Sequence, residues 1–285
     1  MDQMGSLSNV IAVMNTKGGV GKSTVVLALA ETLSLFHDKS VLIIDSDAQG
    51  SVSYLLAGPH HMSQLQEQGR TLVDLLLAHV LRRQREDWRQ YITGPVSDVD
   101  DARRVWLMAS DTNLTLLERE ISSAHAETRL RQSIHELLAD VSRSFDVVLV
   151  DCPPGLSIVT ECWLREADFH LSPTKPDYIS ACGLAFFRRF KQVESNKGFA
   201  RNLGVLITMK DASSPVDAEF HKWLAGDAEN RCFETVIPRS TSMQYAASFV
   251  AQTRSYAAKY PGDAGVAIRK LTAEVLARLA APPVD

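Results

Sequence analysis

Cysteine is scarce in this 285-residue chain: Cys152, Cys162, Cys182 and Cys232 are too few and too scattered for a disulfide framework. No two of them form a Cys-x-x-Cys pair, which leaves no metal knuckle to propose and makes reduced thiols the expectation. The eight histidines show no ligand spacing, and adjacent His60 and His61 sit in a polar stretch read as solvated loop. No run of about eighteen apolar residues exists, so a membrane-spanning helix is excluded. The opening MDQMGSLSN lacks the basic-then-apolar order of a leader, so the expectation is a cytoplasmic chain without a membrane partner. Internal repeats and low-complexity tracts are missing too, which argues against a solenoid or a disordered linker.

What is present is ordinary globular material, 45% apolar and 22% charged residues, read as one compact domain over 1–285. Apolar, β-branched runs near 9–14, 40–45, 104–109, 146–151, 168–172, 203–209 and 232–237 alternate with helical patterns. Alternation of this kind predicts right-handed βαβ units: an α/β, three-layer, doubly wound and mostly parallel sheet with helices on both faces. Residues 57–70 and 94–103 read as polar loops marked by Pro and Gly around a helical stretch from Thr71 to Arg89. The net charge of −4 is uneven. Residues 1–180 carry −8 and residues 181–285 carry +4, with the densest basic cluster at Arg188, Arg189 and Lys191. An anionic partner on one face is therefore permitted.

Residues 15–24 read Asn-Thr-Lys-Gly-Gly-Val-Gly-Lys-Ser-Thr. Gly18, Gly19 and Gly21 let the backbone curl until successive N–H groups, including that of Val20, converge on phosphate oxygens. Lys22 stands where the lysine of such a loop reaches the β and γ phosphates, Ser23 where a hydroxyl ligates Mg²⁺, and Thr24 follows at the helix start. A β-branched run before the loop and a helical pattern after it place phosphates at a helix N-terminus. Two departures stand out: Thr16 replaces the first glycine of the usual pattern, and Lys17 is a second lysine.

These residues resemble the deviant Walker A ATPases of the ParA/Soj and MinD type, P-loop NTPases whose signature loop is KGG-x-GK-[ST]. The resemblance continues in VLIIDSDAQG (41–50), similar to the family's switch I, in FDVVLVDCPPG (145–155), similar to Walker B and switch II, and in GVLITMKD (204–211) with TVIPR (235–239), similar to the base-binding end. Only about residues 57–105 fall outside it, and they look enlarged. The resemblance implies ATP and ADP as ligands with Mg²⁺ held by Ser23, Asp45 and Asp151, and Asp47 acting on the attacking water. Met209 and Pro238 would border the base. Lys17 would reach across an ATP-bound homodimer to the partner's phosphates, making the dimer a timer that loosens on hydrolysis.

It further implies nonspecific DNA binding by the ATP dimer and a ParB-like or cargo-adaptor protein that stimulates slow hydrolysis, in plasmid or chromosome partition at the nucleoid. Arg188, Arg189, Lys191 and Arg239 are the candidate DNA contacts. Ser242 occupies the place of a second family arginine, and Gln244 to Ser248 depart from the family pattern, so positioning of a protein assembly with weak or no DNA binding stays open. A MinD-like membrane anchor is disfavoured because Ile268, Leu271, Val275 and Leu279 suit core packing. Cys152 does not match a cluster-ligand position, and no tyrosine-rich tail follows Tyr260, which disfavours electron carriers and kinases of this fold.

Overall fold

The computed structural model describes residues 9–121, 124–194 and 198–282. Among them the strands are β1 (Asn9–Val13), β2 (Val41–Asp45), β3 (Ile92–Thr93), β4 (Val105–Met108), β5 (Val147–Asp151), β6 (Phe169–Thr174) and β7 (Arg201–Ile207). They form one sheet in the order β3-β4-β2-β5-β1-β6-β7, parallel except for the antiparallel edge strand β3. Near-continuous Val, Ile and Leu in β1, β2 and β5 suits strands buried on both faces. The helices are α1 (Lys22–His37), α2 (Ser51–Glu67), α3 (Leu72–Leu77), α4 (Leu114–Glu120), α5 (Ala124–Val141), α6 (Ile158–Glu166), α7 (Tyr178–Val193), α8 (Pro215–Gly226), α9 (Thr241–Ala246), α10 (Tyr256–Lys259) and α11 (Asp263–Ala280).

Two apolar layers enclose the sheet. One gathers Leu29 and Leu33 of α1 with Ile268, Leu271 and Val275 of α11; the other gathers Leu72 of α3, Leu130 of α5 and Trp163 of α6. Within the first layer Glu31 is fully buried, bonded by Lys259 at 2.7 Å and by the Tyr260 hydroxyl at 2.7 Å. Lys259, 2% exposed, also pairs with Asp98, which receives Arg254 at 2.7 Å. This network ties α1 to α10 and to residues 98–100.

Three sequence expectations are corrected. The run 232–237 forms no ladder strand: the Phe233 and Ile237 amides bond β7 carbonyls, but Glu274 on α11 takes the intervening Glu234 and Thr235 amides. Residues 57–67 are helix, not loop, because Gly58 breaks α2 at φ 72° and Pro59 restarts it, as proline does at a helix start. Thr71 to Arg89 is not one helix: α3 runs into a π turn at Ala78–Arg82, and then Arg83 turns left-handed. The edge strand β3, two residues long, carried too short a pattern to read.

Candidate nucleotide site

The sheet order reverses beside β1, and in an open parallel sheet that is where a crevice forms at the carboxyl ends of the strands. The loop after β1 occupies it. Gly19 and Gly21 adopt left-handed backbone, φ 68° and 87°, which a glycine takes without strain. Gly21 is the N-cap of α1 and offers no capping side chain, so the first-turn N–H groups remain available to an anion. Asn15 pins the loop to β6, donating to the Pro173 carbonyl (2.7 Å) and the Thr174 hydroxyl (3.1 Å) while accepting the Lys17 amide (2.8 Å). From the other side Thr208 donates to the carbonyl of buried Val20 at 2.8 Å. Thr16 lies against α7 at Gly183, where a Cβ would stand 2.5 Å from the Thr16 hydroxyl. A glycine on the facing helix thus makes room for the threonine in the loop.

The two lysines separate. Lys22, 7% exposed, folds its Nζ over the loop to the Lys17 carbonyl at 3.4 Å. Burial lowers its pKa, against the attraction of Asp151 and Asp47. Lys17 turns instead to α7: its Nζ is 3.1 and 3.0 Å from the two carboxylate oxygens of Asp177 and 3.4 Å from the Ser180 hydroxyl. Asp177 caps α7 as well, accepting the Ser180 amide at 2.7 Å. Partial burial pushes the Asp177 carboxyl up, but the Ser180 amide and the Lys17 ammonium outweigh it and hold the group below the usual range. Asp177 was absent from the sequence expectations; its only local signal was the Asp-x-x-Ser pattern of a helix cap.

Asp45 and Asp151 are register partners at the ends of β2 and β5. Both side-chain oxygens of Asp151 are buried without a hydrogen-bond partner. Burial and the neighbouring Asp45 carboxylate push its pKa well up, while Ser23 and Lys22 pull it back. An orphaned carboxylate beside a hydroxyl fits a divalent cation, which would supply the missing partner. The oxygens of Asp45 are already used, by the Asp47 amide (3.1 Å), the Ser53 amide (2.9 Å) and the Ser53 hydroxyl (2.6 Å). Burial lifts its pKa to about 6 although those bonds oppose the rise. Asp45 therefore fixes the turn leading into α2, which leaves Asp151 and Ser23 as the open positions. Among the described residues no group of three His, Cys, Asp or Glu is placed to hold a metal. Magnesium does not demand one, since it keeps waters and phosphate oxygens beside one or two carboxylates. Asp47 is half-buried and accepts the Gln49 amide at 3.0 Å.

A cavity of about 600 Å³ adjoins the loop, bordered by Gly21, Thr24, Thr208, Met209, Pro238 and Arg239. Met209 and Pro238 thus come together with the loop. Arg239 joins them and not the α7 cluster, which is itself split. Arg188 and Lys191 share one side of α7, as three-residue spacing requires, but that side carries buried Leu184 and Phe187 and packs inward. Arg188 is tied to Asp227 (2.8 Å), Glu229 (2.7 Å) and Asn230 (3.0 Å), and Lys191 lies against His170 (3.1 Å). Arg189 alone of the three is exposed. Of the four candidate DNA contacts, Arg188 and Lys191 are therefore turned inward, and Arg189 and Arg239 are exposed.

Residues 8–203 match the family described as AAA domain. Over 276 residues the chain is 28% identical to the chromosome-partitioning ATPase Soj of Treponema pallidum, covering 95% of this chain and 98% of that one. Among solved structures, the ATP complex of a McdA variant from Cyanothece superposes with a TM-score of 0.77 at 17% identity, covering 99% of this chain and 100% of the other. Cobyrinic acid a,c-diamide synthase from Mycobacterium smegmatis, with bound ATP analogue and magnesium, superposes with a TM-score of 0.73 at 22% identity over 96% of each chain.

Proposed function

The chain belongs to the AAA-domain family and is a P-loop ATPase of the ParA/Soj type, and from that premise we propose that it partitions or positions cargo as an ATP-gated dimer. Its ligands are ATP and ADP with Mg²⁺, as in the nucleotide and magnesium complexes of its structural neighbours. The observation that carries the dimer is the division of labour between the lysines. Lys22 is committed to its own loop, whereas Lys17 is turned out of it onto Asp177 at the rim, leaving a cation for phosphates held by a second subunit. In a closed, water-poor gap such a cation stabilises the γ phosphate far more than it would in bulk solvent.

Each remaining residue has a part in hydrolysis. The Gly21 cap and the loop amides bind the phosphates, and Lys22 neutralises charge developing on the β and γ oxygens. Asp151 and Ser23 hold magnesium, which when bound screens the same oxygens. Asp47, two residues beyond the buried Asp45, orients the attacking water, and Asp45 keeps the intervening segment in place through the Asp47 amide and Ser53. Hydrolysis is slow without a partner protein in this reading; in the free chain the Gln49 amide holds one oxygen of Asp47 and leaves the other open to a water. Loss of the γ phosphate removes the attraction for the second subunit's Lys17, and the dimer opens.

DNA binding by the ATP dimer is proposed through Arg189 and Arg239, with fewer phosphate contacts than four basic residues would give. A specific observation favours a protein-assembly cargo as the second reading: α7 exposes Tyr178, Ile179, Phe186 and Val193, an apolar stripe suited to a protein partner. Sedimentation with ATP and with ADP tests the switch, and a gel shift of random duplex DNA with each nucleotide separates the readings. Lys17→Ala is expected to bind ATP yet stay monomeric; an ordinary ATP dimer in that variant refutes the trans role. A shift by ATP alone supports DNA, and no shift with an intact dimer supports a protein cargo.

A further inference from the structure

The inward-turned part of the basic cluster lines a second cavity, at the opposite end of the sheet from the phosphate loop. His170 and Asn202 are register partners near the starts of β6 and β7. Over them α7 places Arg188 and Lys191, and the turn after α8 adds Glu229 and Arg231, enclosing about 280 Å³. That is close to the lower limit for small-ligand pockets and too small for a duplex.

The charges around it do not balance. Arg188 is satisfied by Asp227 and Glu229. Lys191 has no carboxylate within ion-pairing distance among the described residues; its Nζ reaches only the His170 Nε2, at 3.1 Å, and the Phe187 ring, 5.1 Å from its centroid. Arg231, exposed at the rim with φ 48°, has no ion pair there either. The lining thus carries three cations and one anion, and that anion is already spent on Arg188. A half-buried ammonium held on a neutral imidazole is a poor arrangement unless a counter-ion completes it. Burial pushes His170 down to about 3, so the ring is neutral, its Nε2 accepts from Lys191, and its Nδ1 carries the proton. That Nδ1 is buried without a partner, and so is Oδ1 of Asn202, whose amide already donates to the Glu229 carbonyl at 2.8 Å. Those two atoms are closed to solvent, so the unmet groups a ligand can reach are the Lys191 ammonium and the Arg231 guanidinium, and the charged oxygens of a phosphate match both.

We propose that this cavity is a binding site for a small phosphate anion, free or as the terminal group of a small monoester, held by Lys191 and Arg231 over His170 and Asn202. The site is independent of the nucleotide reading.

Because inorganic phosphate also enters a phosphate loop, the titration uses protein saturated with Mg²⁺ and a non-hydrolysable ATP analogue, which fills the γ position that ADP would leave open. Calorimetry is run with inorganic phosphate and, in parallel, with glycerol phosphate, and the tighter of the two identifies the source. Saturable binding is expected in the parent chain, weakened about tenfold or more by Lys191→Met. Methionine keeps the apolar stem over Phe187, and unchanged ADP affinity certifies the fold. Arg231→Asn, at an exposed position whose left-handed backbone asparagine tolerates, is expected to weaken binding severalfold. Selectively ¹⁵N-labelled histidine adds a local readout, since phosphate should shift the His170 signals in the parent chain and not in Lys191→Met. The proposal is overturned if neither phosphate saturates the parent chain, or if both variants bind as the parent does.

Discussion

Asp177→Asn isolates the contact that holds Lys17 within its own subunit. In the free chain the Lys17 ammonium lies 3.0 Å from Asp177, with the two side chains 30% and 38% exposed. A pair that open to solvent is worth about 0.5–1 kcal/mol. Under the proposed mechanism Lys17 must leave Asp177 before it can meet the partner's phosphates, and a twofold dimer breaks the contact twice, a cost of about 1–2 kcal/mol. Asparagine removes the charge but keeps the side-chain oxygen that accepts the Ser180 amide, so α7 stays capped. The variant should therefore dimerise with a non-hydrolysable ATP analogue at about 5- to 30-fold lower protein concentration than the parent, with a denaturation midpoint almost unchanged. Sedimentation velocity over a concentration series reads the shift. An unchanged or raised midpoint for dimerisation would mean that Asp177 does not compete for Lys17, and the latch would be refuted.

The remaining expectations concern the fold and the site together. Lys259→Met strands the buried Glu31 and should cost about 3–5 kcal/mol in urea unfolding, most of it recovered when Glu31→Gln is added; full stability of the single variant would contradict the network. Gly183→Val would drive a side chain into Thr16, so both stability and ADP affinity should fall, and a variant that binds ADP normally would show that α7 need not touch the loop. The Asp45 carboxyl has a folded pKa of about 6 against an unfolded value near 3.8. The folded chain keeps this proton longer than the unfolded one, so the nucleotide-free protein loses up to about 3 kcal/mol as pH rises from roughly 4 to 6. Asp45→Asn should abolish that part of the slope in urea melts at pH 4 and pH 6; an identical slope in both proteins would count against it.

The placement of Lys22, Ser23, Asp47 and Asp151 around the loop was legible because each belongs to a short segment whose geometry depends on neighbours in sequence: a glycine loop, a helix start, the ends of apolar strands. The parallel sheet was legible for a related reason, since strands buried on both faces write continuous apolar runs. Residues 232–237 wrote the same run yet gained no ladder, because a side chain forty residues away, Glu274, claimed two of their amides. The basic cluster on α7 failed similarly, since spacing could put Arg188 and Lys191 on one side of a helix but could not say which side faced the sheet.

Local backbone chemistry was thus legible in the sequence: where the glycine loop curls, which lysine folds over it, and which carboxylates stand at the strand ends. Tertiary structure alone decided what the long side chains do, placing Lys17 on Asp177, Arg188 on Asp227 and Lys191 on His170. The physical reason is reach. A glycine or an N–H group acts where the chain puts it, whereas a lysine or arginine spans a wide radius and settles on whichever charge or cavity the packed elements bring near.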